Sequence, residues 1–305
     1  MKKEFVGGLY MFDQIFGNYL VATKRITKEQ LKDVIAIENT IRVKLGLIAV
    51  AEKLMTTEQA DEVNNLQAIM DRRFGDIAVE KGYLTEEQVI QLLKKQGNIY
   101  LIFVQTLIDK DLLTLSDIEA ALAEYQQSMG FTATDMDDLV SGDIERTVNL
   151  FLPTANTMYS KLCGIAVRTL IRIIHSGAYV SKAFLVDEIY ADNLAIQHLD
   201  GDFKVVSGFA GADDSLLSIA VPFAKEEFAS VDMDALDAVG EFTNCINGLF
   251  ASDLSKENIE IDMLPPLFYD ESVTIKGNKF CVFPMSIEDN NVSFIVSVDE
   301  ELTIE

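Results

Sequence analysis

The stretch DALDAVGEFTNCINGLF, Asp234–Phe250, decides how this chain is read. Its apolar residues Leu236, Val239, Phe242, Ile246 and Leu249 recur at steps of three and four, which predicts the buried face of a helix. A second set, Asp237, Glu241, Asn244 and Gly248, recurs at steps of four, three and four and lies on another face. An acid and an amide at i and i+3 project together, so one docking event can engage both. Gly240 and Gly248 each cost about 1 kcal/mol relative to alanine inside a helix. Their presence predicts that something comes close to this backbone, either a strand of the same domain or a partner surface.

Outward from this helix the patterns alternate. Helices are expected over 135–150 and 155–175, then strands over 183–190, 194–199, 204–210 and 216–222. After the long helix come strands near 259–262, 272–276, 280–287 and 292–298, with Gly277-Asn278 and Asn290-Asn291 as hairpin turns. That order predicts an α/β domain, an antiparallel-rich sheet packed by long helices.

The 305 residues amount to about two domains. Charge places the boundary. Residues 1–130 hold 15 Lys and Arg against 19 Asp and Glu, and residues 131–305 hold 10 against 30, so nearly all of the net charge of -24 lies in the second part. Such a surface repels phosphodiester chains and anionic lipid, which argues against nucleic-acid and membrane partners. No apolar run approaches the ~18 residues of a membrane span, and MKKEFVGGLYMF is too weakly apolar for a secretory signal, so a cytoplasmic location is expected. Cys163, Cys245 and Cys281 show no CxxC spacing, and His175 and His198 have no histidine at helical spacing, so no metal site is expected in this chain. No G-x-x-x-x-G-K-[ST] occurs, Asp213-Asp214 reads as a turn, and Cys245 reads as packing.

Residues 1–130 carry a 29-residue period. Thr27, Thr56, Thr85 and Thr114 keep it, as do Phe16, Leu45, Phe74 and Phe103, and Leu31, Ala60, Val89 and Ile118; Gly17, Gly46 and Gly75 form a fourth column that Val104 breaks. Each unit reads as helix, turn, helix, and Thr85 with Gln88 has the pattern of a capping box. The expected object is an all-helical array of four units, none of which could bury its apolar face alone.

Two family resemblances follow from these residues. Gly240-Glu241-Phe242-Thr243-Asn244, then Ile246, Gly248, Ile261 and Leu264-Pro265, resembles the CheC/CheX/FliY chemotaxis phosphatases, whose signature is an acidic or Ser residue, E-x-x-N on a helix and a distal proline. Pro265 stands somewhat closer to the asparagine than in that signature. The resemblance spans 131–305 and implies a CheX-like domain that hydrolyses the aspartyl phosphate of a phosphorylated CheY-like response regulator. Asn244 would hold the attacking water and Glu241 would pair with the regulator's active-site lysine, with Asp237 and Gly248 on the docking face. Mg2+ would belong to the regulator, no cofactor to this chain, and a homodimer is left open. In the corresponding first-half helix, Ser141–Asn149, Val148 stands where the asparagine is needed, which implies one active site.

The repeat resembles the N-terminal domain of type II secretion and pilus ATPases, the best copy being Arg73–Gln96. Some of those domains bind cyclic di-GMP, and Arg73, Gly75 and Gln96 match the residues they use, with Lys44, Gly46 and Gln67 as a looser set. The plainer reading is a protein-binding array in which glycine packs helices. Three hypotheses therefore stand: a regulator phosphatase, a non-catalytic regulator-binding scaffold, and a cyclic di-GMP-responsive adaptor.

Overall fold

The structure is a computed structural model that describes residues 9–37, 43–70, 73–95 and 99–305. It divides into two compact units, Phe16–Thr132 and Ala133–Glu305, the latter joined by Met1–Ile15. The division after Thr132 lies two residues beyond the charge boundary, and the described residues before Phe16, 9–15, group with the C-terminal unit.

Among its described residues the first unit holds helices joined by turns and no strand. It takes in α1 (Leu9–Ala22) from Phe16 on, then α2 (Lys28–Ile37), α3 (Leu45–Ala51), α4 (Thr57–Met70), α5 (Phe74–Glu80), α6 (Glu86–Lys94), α7 (Ile99–Asp109) and α8 (Leu115–Met129). The periodic threonines start the second helix of each pair. Thr27, Thr56, Thr85 and Thr114 each accept a hydrogen bond from the backbone N–H three residues on. The side chain at that position, Gln30, Gln59, Gln88 or Asp117, accepts from the threonine's own N–H. Each box satisfies two N–H groups that a helix start leaves without partners. The glycine column is a packing column. A Cβ at Gly17 would lie 2.3 Å from Leu31 Cδ1, one at Gly46 2.9 Å from Phe74 Cε2, and one at Gly75 2.8 Å from Val89 Cγ1.

The second unit opens with α9 (Ala133–Ser141), α10 (Ile144–Phe151) and α11 (Thr157–Thr169), the last running on into a π-helical turn, Leu170–Ile174. Where one helix was expected over 135–150, Gly142 at φ +77° breaks it and Asp143 caps its successor by accepting from the Arg146 N–H at 3.1 Å. Strands β1 (Tyr179–Val180), β2 (Phe184–Ala191), β3 (Asn193–Gly201) and β4 (Val205–Gly211) follow, then α12 (Leu217–Ala224) and α13 (Met233–Ser255). The chain closes with β5 (Ile261–Met263), β6 (Leu267–Tyr269), β7 (Val273–Ile287), β8 (Asn290–Val298) and β9 (Thr303–Ile304). Every pairing is antiparallel, in the order β1-β7-β8-β4-β3-β5, with β2 and β9 also on β7 and β6 also on β3.

Three local expectations are corrected. The strand over 216–222 is instead a 3-10 turn, Asp213–Leu216, leading into α12. An apolar run this short does not distinguish a buried strand from a buried helix. Gly277-Asn278 makes no hairpin, because Lys276 and Phe280 on either side of it both pair with β2, opposite Glu188 and Val186. The segment between them is a bulge inside one 15-residue strand, with Lys279 at φ +98°. The hairpin between β7 and β8 turns at Glu288-Asp289 instead, with Glu288 at φ +53°, while Asn291 is already paired with Ser286.

Candidate functional site

Helix α13 starts where Asp232 accepts from the Ala235 N–H at 3.0 Å. Leu236, Val239, Phe242, Ile246 and Phe250 are buried, and the Phe242 ring lies 5.7 Å from Phe209 of β4 and 5.5 Å from Phe223 of α12. Leu249, expected on the buried face, is exposed. Asp237 and Glu241 are exposed and Asn244 is half-buried, so the acid and the amide share the accessible side of the helix.

The two helix glycines have different neighbours. A Cβ at Gly240 would lie 2.3 Å from Phe268 Cε1 and 3.3 Å from Pro266, so there the close approach is made by a strand of the same domain. At Gly248 the nearest atom is Met263 Cε at 3.8 Å, an ordinary contact. Nothing in its own unit requires a glycine there. Cys245 does not pack inward as expected: one residue back from buried Ile246, it is rotated onto the exposed side. Partial burial, and next the charge of Glu241, push its thiol above the usual cysteine range.

The carboxamide of Asn244 is held from inside the domain. Gln197 of β3 donates from Nε2 to Asn244 Oδ1 at 2.9 Å and to the Leu264 carbonyl at 2.8 Å. Its Oε1 accepts from Asn247 Nδ2 at 2.8 Å, and Asn247 Oδ1 accepts from Ser207 Oγ at 2.7 Å. Gln197, Asn247 and Ser207 are all buried, where an unpaired amide or hydroxyl costs about 1–3 kcal/mol.

The backbone explains why the Leu264 carbonyl is available. β5 and β6 both pair with β3, at Leu199–Gly201 and at Leu194–Ile196, and the chain between them carries Pro265 and Pro266. Proline has no N–H, so the ladder lapses there. The Leu264 N–H still reaches the His198 carbonyl at 2.9 Å, and its C=O turns to the Gln197 side chain. Met263, Leu264 and Leu267 are exposed, giving the site an apolar rim beside its acidic helix face.

Sequence reasoning missed Gln197 and Asn247. Both left a signal. Gln197 alternates with Ala195 and Leu199 on one buried strand face, and Asn247 falls in the stripe of Val239, Thr243, Ile246 and Phe250. A polar side chain at a position patterned for the core needs a partner, and each of these is the other's.

The remaining candidates are dispersed. In α10 Glu145 pairs with Arg168 and the position three residues on is the buried Val148, with Asn149 one residue beyond it, so the i, i+3 spacing of acid and amide seen in α13 is not repeated there. Arg73 is exposed, Gly75 is buried against Val89, and Gln96 lies outside the described residues. In the looser set Lys44 pairs with Asp109 at 2.7 Å, Gly46 is buried and Gln67 exposed. Among the described residues no group of three or more His, Cys, Asp and Glu could hold a metal ion, and no helix is long and apolar enough to cross a membrane.

Residues 194–286, which include Gln197, Glu241, Asn244 and Leu264, match the family model of the chemotaxis phosphatase CheX. No curated protein matches the chain. Three similar solved structures cover roughly the same share of it. The chemotaxis protein CheX from Desulfovibrio desulfuricans is 14% identical, over 47% of this chain and 99% of its own, with a TM-score of 0.41. A CheC-like superfamily protein from Shewanella sp. PV-4 is 19% identical, over 47% and 98%, with a TM-score of 0.42. A CheX–CheY–BeF3–Mg2+ complex from Borrelia burgdorferi matches at 18% identity over 46% and 97%, with a TM-score of 0.36.

Proposed function

We propose that the C-terminal unit, which carries a CheX domain at residues 194–286, hydrolyses the aspartyl phosphate of a CheY-like response regulator. One observation carries this reading. Within the matched segment an exposed carboxylate, Glu241, and a half-buried carboxamide, Asn244, stand one helical turn apart on the accessible side of α13, and the carboxamide accepts a hydrogen bond from the buried Gln197 of the same domain.

The chemistry asks little more of this chain. An acyl phosphate already has a good leaving group, so catalysis is mainly the placing of water in line with the phosphorus–oxygen bond. Water adds to phosphorus while the bond to the regulator's aspartyl oxygen breaks. The electron pair leaves with the carboxylate, and both water protons stay with the product, dihydrogen phosphate. Asn244 can donate to a phosphoryl oxygen and accept from the water, because a carboxamide carries both kinds of group. Glu241 supplies the charge that meets a lysine on the regulator, and the Met263, Leu264 and Leu267 rim supplies apolar contact. Mg2+ in this scheme is carried by the regulator.

The test is to mix a phosphorylated regulator with this protein or its Asn244→Ala variant and follow loss of the phosphoryl group. Acceleration by the wild type that vanishes in the variant supports the enzyme. Binding without acceleration on every cognate regulator points to the scaffold instead.

A further inference from the structure

The buried network fixes which end of the Asn244 carboxamide faces outward, and it does so from an unambiguous anchor. A backbone carbonyl can only accept, so the Gln197 group 2.8 Å from the Leu264 oxygen is its nitrogen. That turns Gln197 Oε1 toward Asn247, whose nitrogen must then donate, leaving Asn247 Oδ1 for the Ser207 hydroxyl. The second hydrogen of Gln197 Nε2 points at Asn244, which can meet it only with Oδ1. The Asn244 nitrogen is therefore the end directed away from Gln197.

We propose that Gln197 is the positioning residue of the site: it locks the Asn244 carboxamide with its oxygen toward the sheet and its NH2 toward the bound partner. The inference rests on the reading of Asn244 as the amide that meets the phosphoryl group and its water. With one lone pair of Oδ1 taken by Gln197, one remains for the water, and both N–H groups remain for phosphoryl oxygen. Without Gln197 the amide can rotate about its terminal torsion and present either end, so only part of the population is competent. Leu264-Pro265 enters the mechanism at one remove, because the proline break frees the carbonyl that orients Gln197.

The experiment uses the full chain with Gln197→Met, which keeps the length of the side chain and removes its hydrogen bonds, and Gln197→Glu, which keeps its shape. Each is measured in two ways. The first is kcat and KM for regulator dephosphorylation. The second is the position of the Asn244 side-chain NH2 signals in a nitrogen-15 NMR spectrum, assigned by their loss in Asn244→Ala. We expect kcat to fall roughly 100-fold at unchanged KM, as for a displaced catalytic group, and the NH2 signals to shift or broaden. A merely structural role would lower the melting temperature without dividing kcat from KM. Wild-type kcat in either folded variant, or Asn244 signals that stay in place, would overturn the proposal. Should the wild type accelerate no regulator, the phosphatase reading fails and the NH2 signals alone decide whether Gln197 orients Asn244. If Gln197→Met does not fold, Gln197→Glu carries both measurements.

Discussion

Gln197 of β3 and Asn244 of α13, 47 residues apart in the chain, are joined by a 2.9 Å hydrogen bond from the glutamine Nε2 to the asparagine Oδ1. The bond ties the one accessible carboxamide of the acidic helix face to the buried interior. It makes Asn244 unlike an ordinary exposed helix position, and that difference bears on the first prediction.

Asn244→Ala and Glu241→Ala should fail in different ways. The first should abolish acceleration with regulator affinity largely intact, since only the water-orienting amide goes. The second should weaken binding by about 1.5–3 kcal/mol through loss of a charge-assisted contact. Stability should separate them too. Glu241→Ala is an exposed change, expected within ~0.5 kcal/mol. Asn244→Ala leaves a buried Gln197 N–H without its acceptor, so it should cost about 1 kcal/mol or more. Denaturant melts with binding titrations check both halves, and equal stability of the two variants would contradict the network.

Gly240 and Gly248 should respond oppositely to a side chain. Gly240→Ala drives a methyl group to 2.3 Å from Phe268 Cε1 and should destabilise by about 1–3 kcal/mol. Gly248→Ala meets nothing closer than Met263 Cε at 3.8 Å and should stabilise the helix by up to about 1 kcal/mol. Gly248→Leu should fold as well but impede regulator docking beside Asn244. Normal binding by a folded Gly248→Leu would take that position off the docking face.

Cys245 offers a footprint. Cys163 and Cys281 are buried, so alkylation of the native protein should go to Cys245 alone. Its thiol is pushed up by burial and by Glu241, so the reactive thiolate forms at higher pH than for a free cysteine and labelling should speed up as pH rises. Bound regulator should slow labelling sharply. Unchanged labelling at saturating regulator would place the docked partner elsewhere.

In the helical unit Gly75→Ala should destabilise by about 1–3 kcal/mol, because the new methyl group meets Val89 Cγ1 at 2.8 Å. Adding Val89→Ala should recover part of the loss by vacating that space. Thermal melts of the two single variants and the double variant measure the coupling, and strictly additive losses would show that the two positions do not meet.

Sequence alone determined whatever depends on neighbours along the chain. The four threonine boxes could be read because a cap and its partner are three residues apart. The common side of Glu241 and Asn244 could be read because helical rotation per residue is fixed. The tertiary structure decided what lies across from each face. An apolar stripe says which side of a helix turns inward but not what meets it there. So the two glycines of α13 looked alike until Phe268 was found against one and only Met263 beside the other. Likewise the apolar run that became α12 fits a strand equally well until its surroundings are known. The orientation of Asn244 depends on Gln197, Leu264, Asn247 and Ser207, which four separate segments bring together; spacing within any one segment carries no information about that meeting, because it is made by sheet register and helix packing.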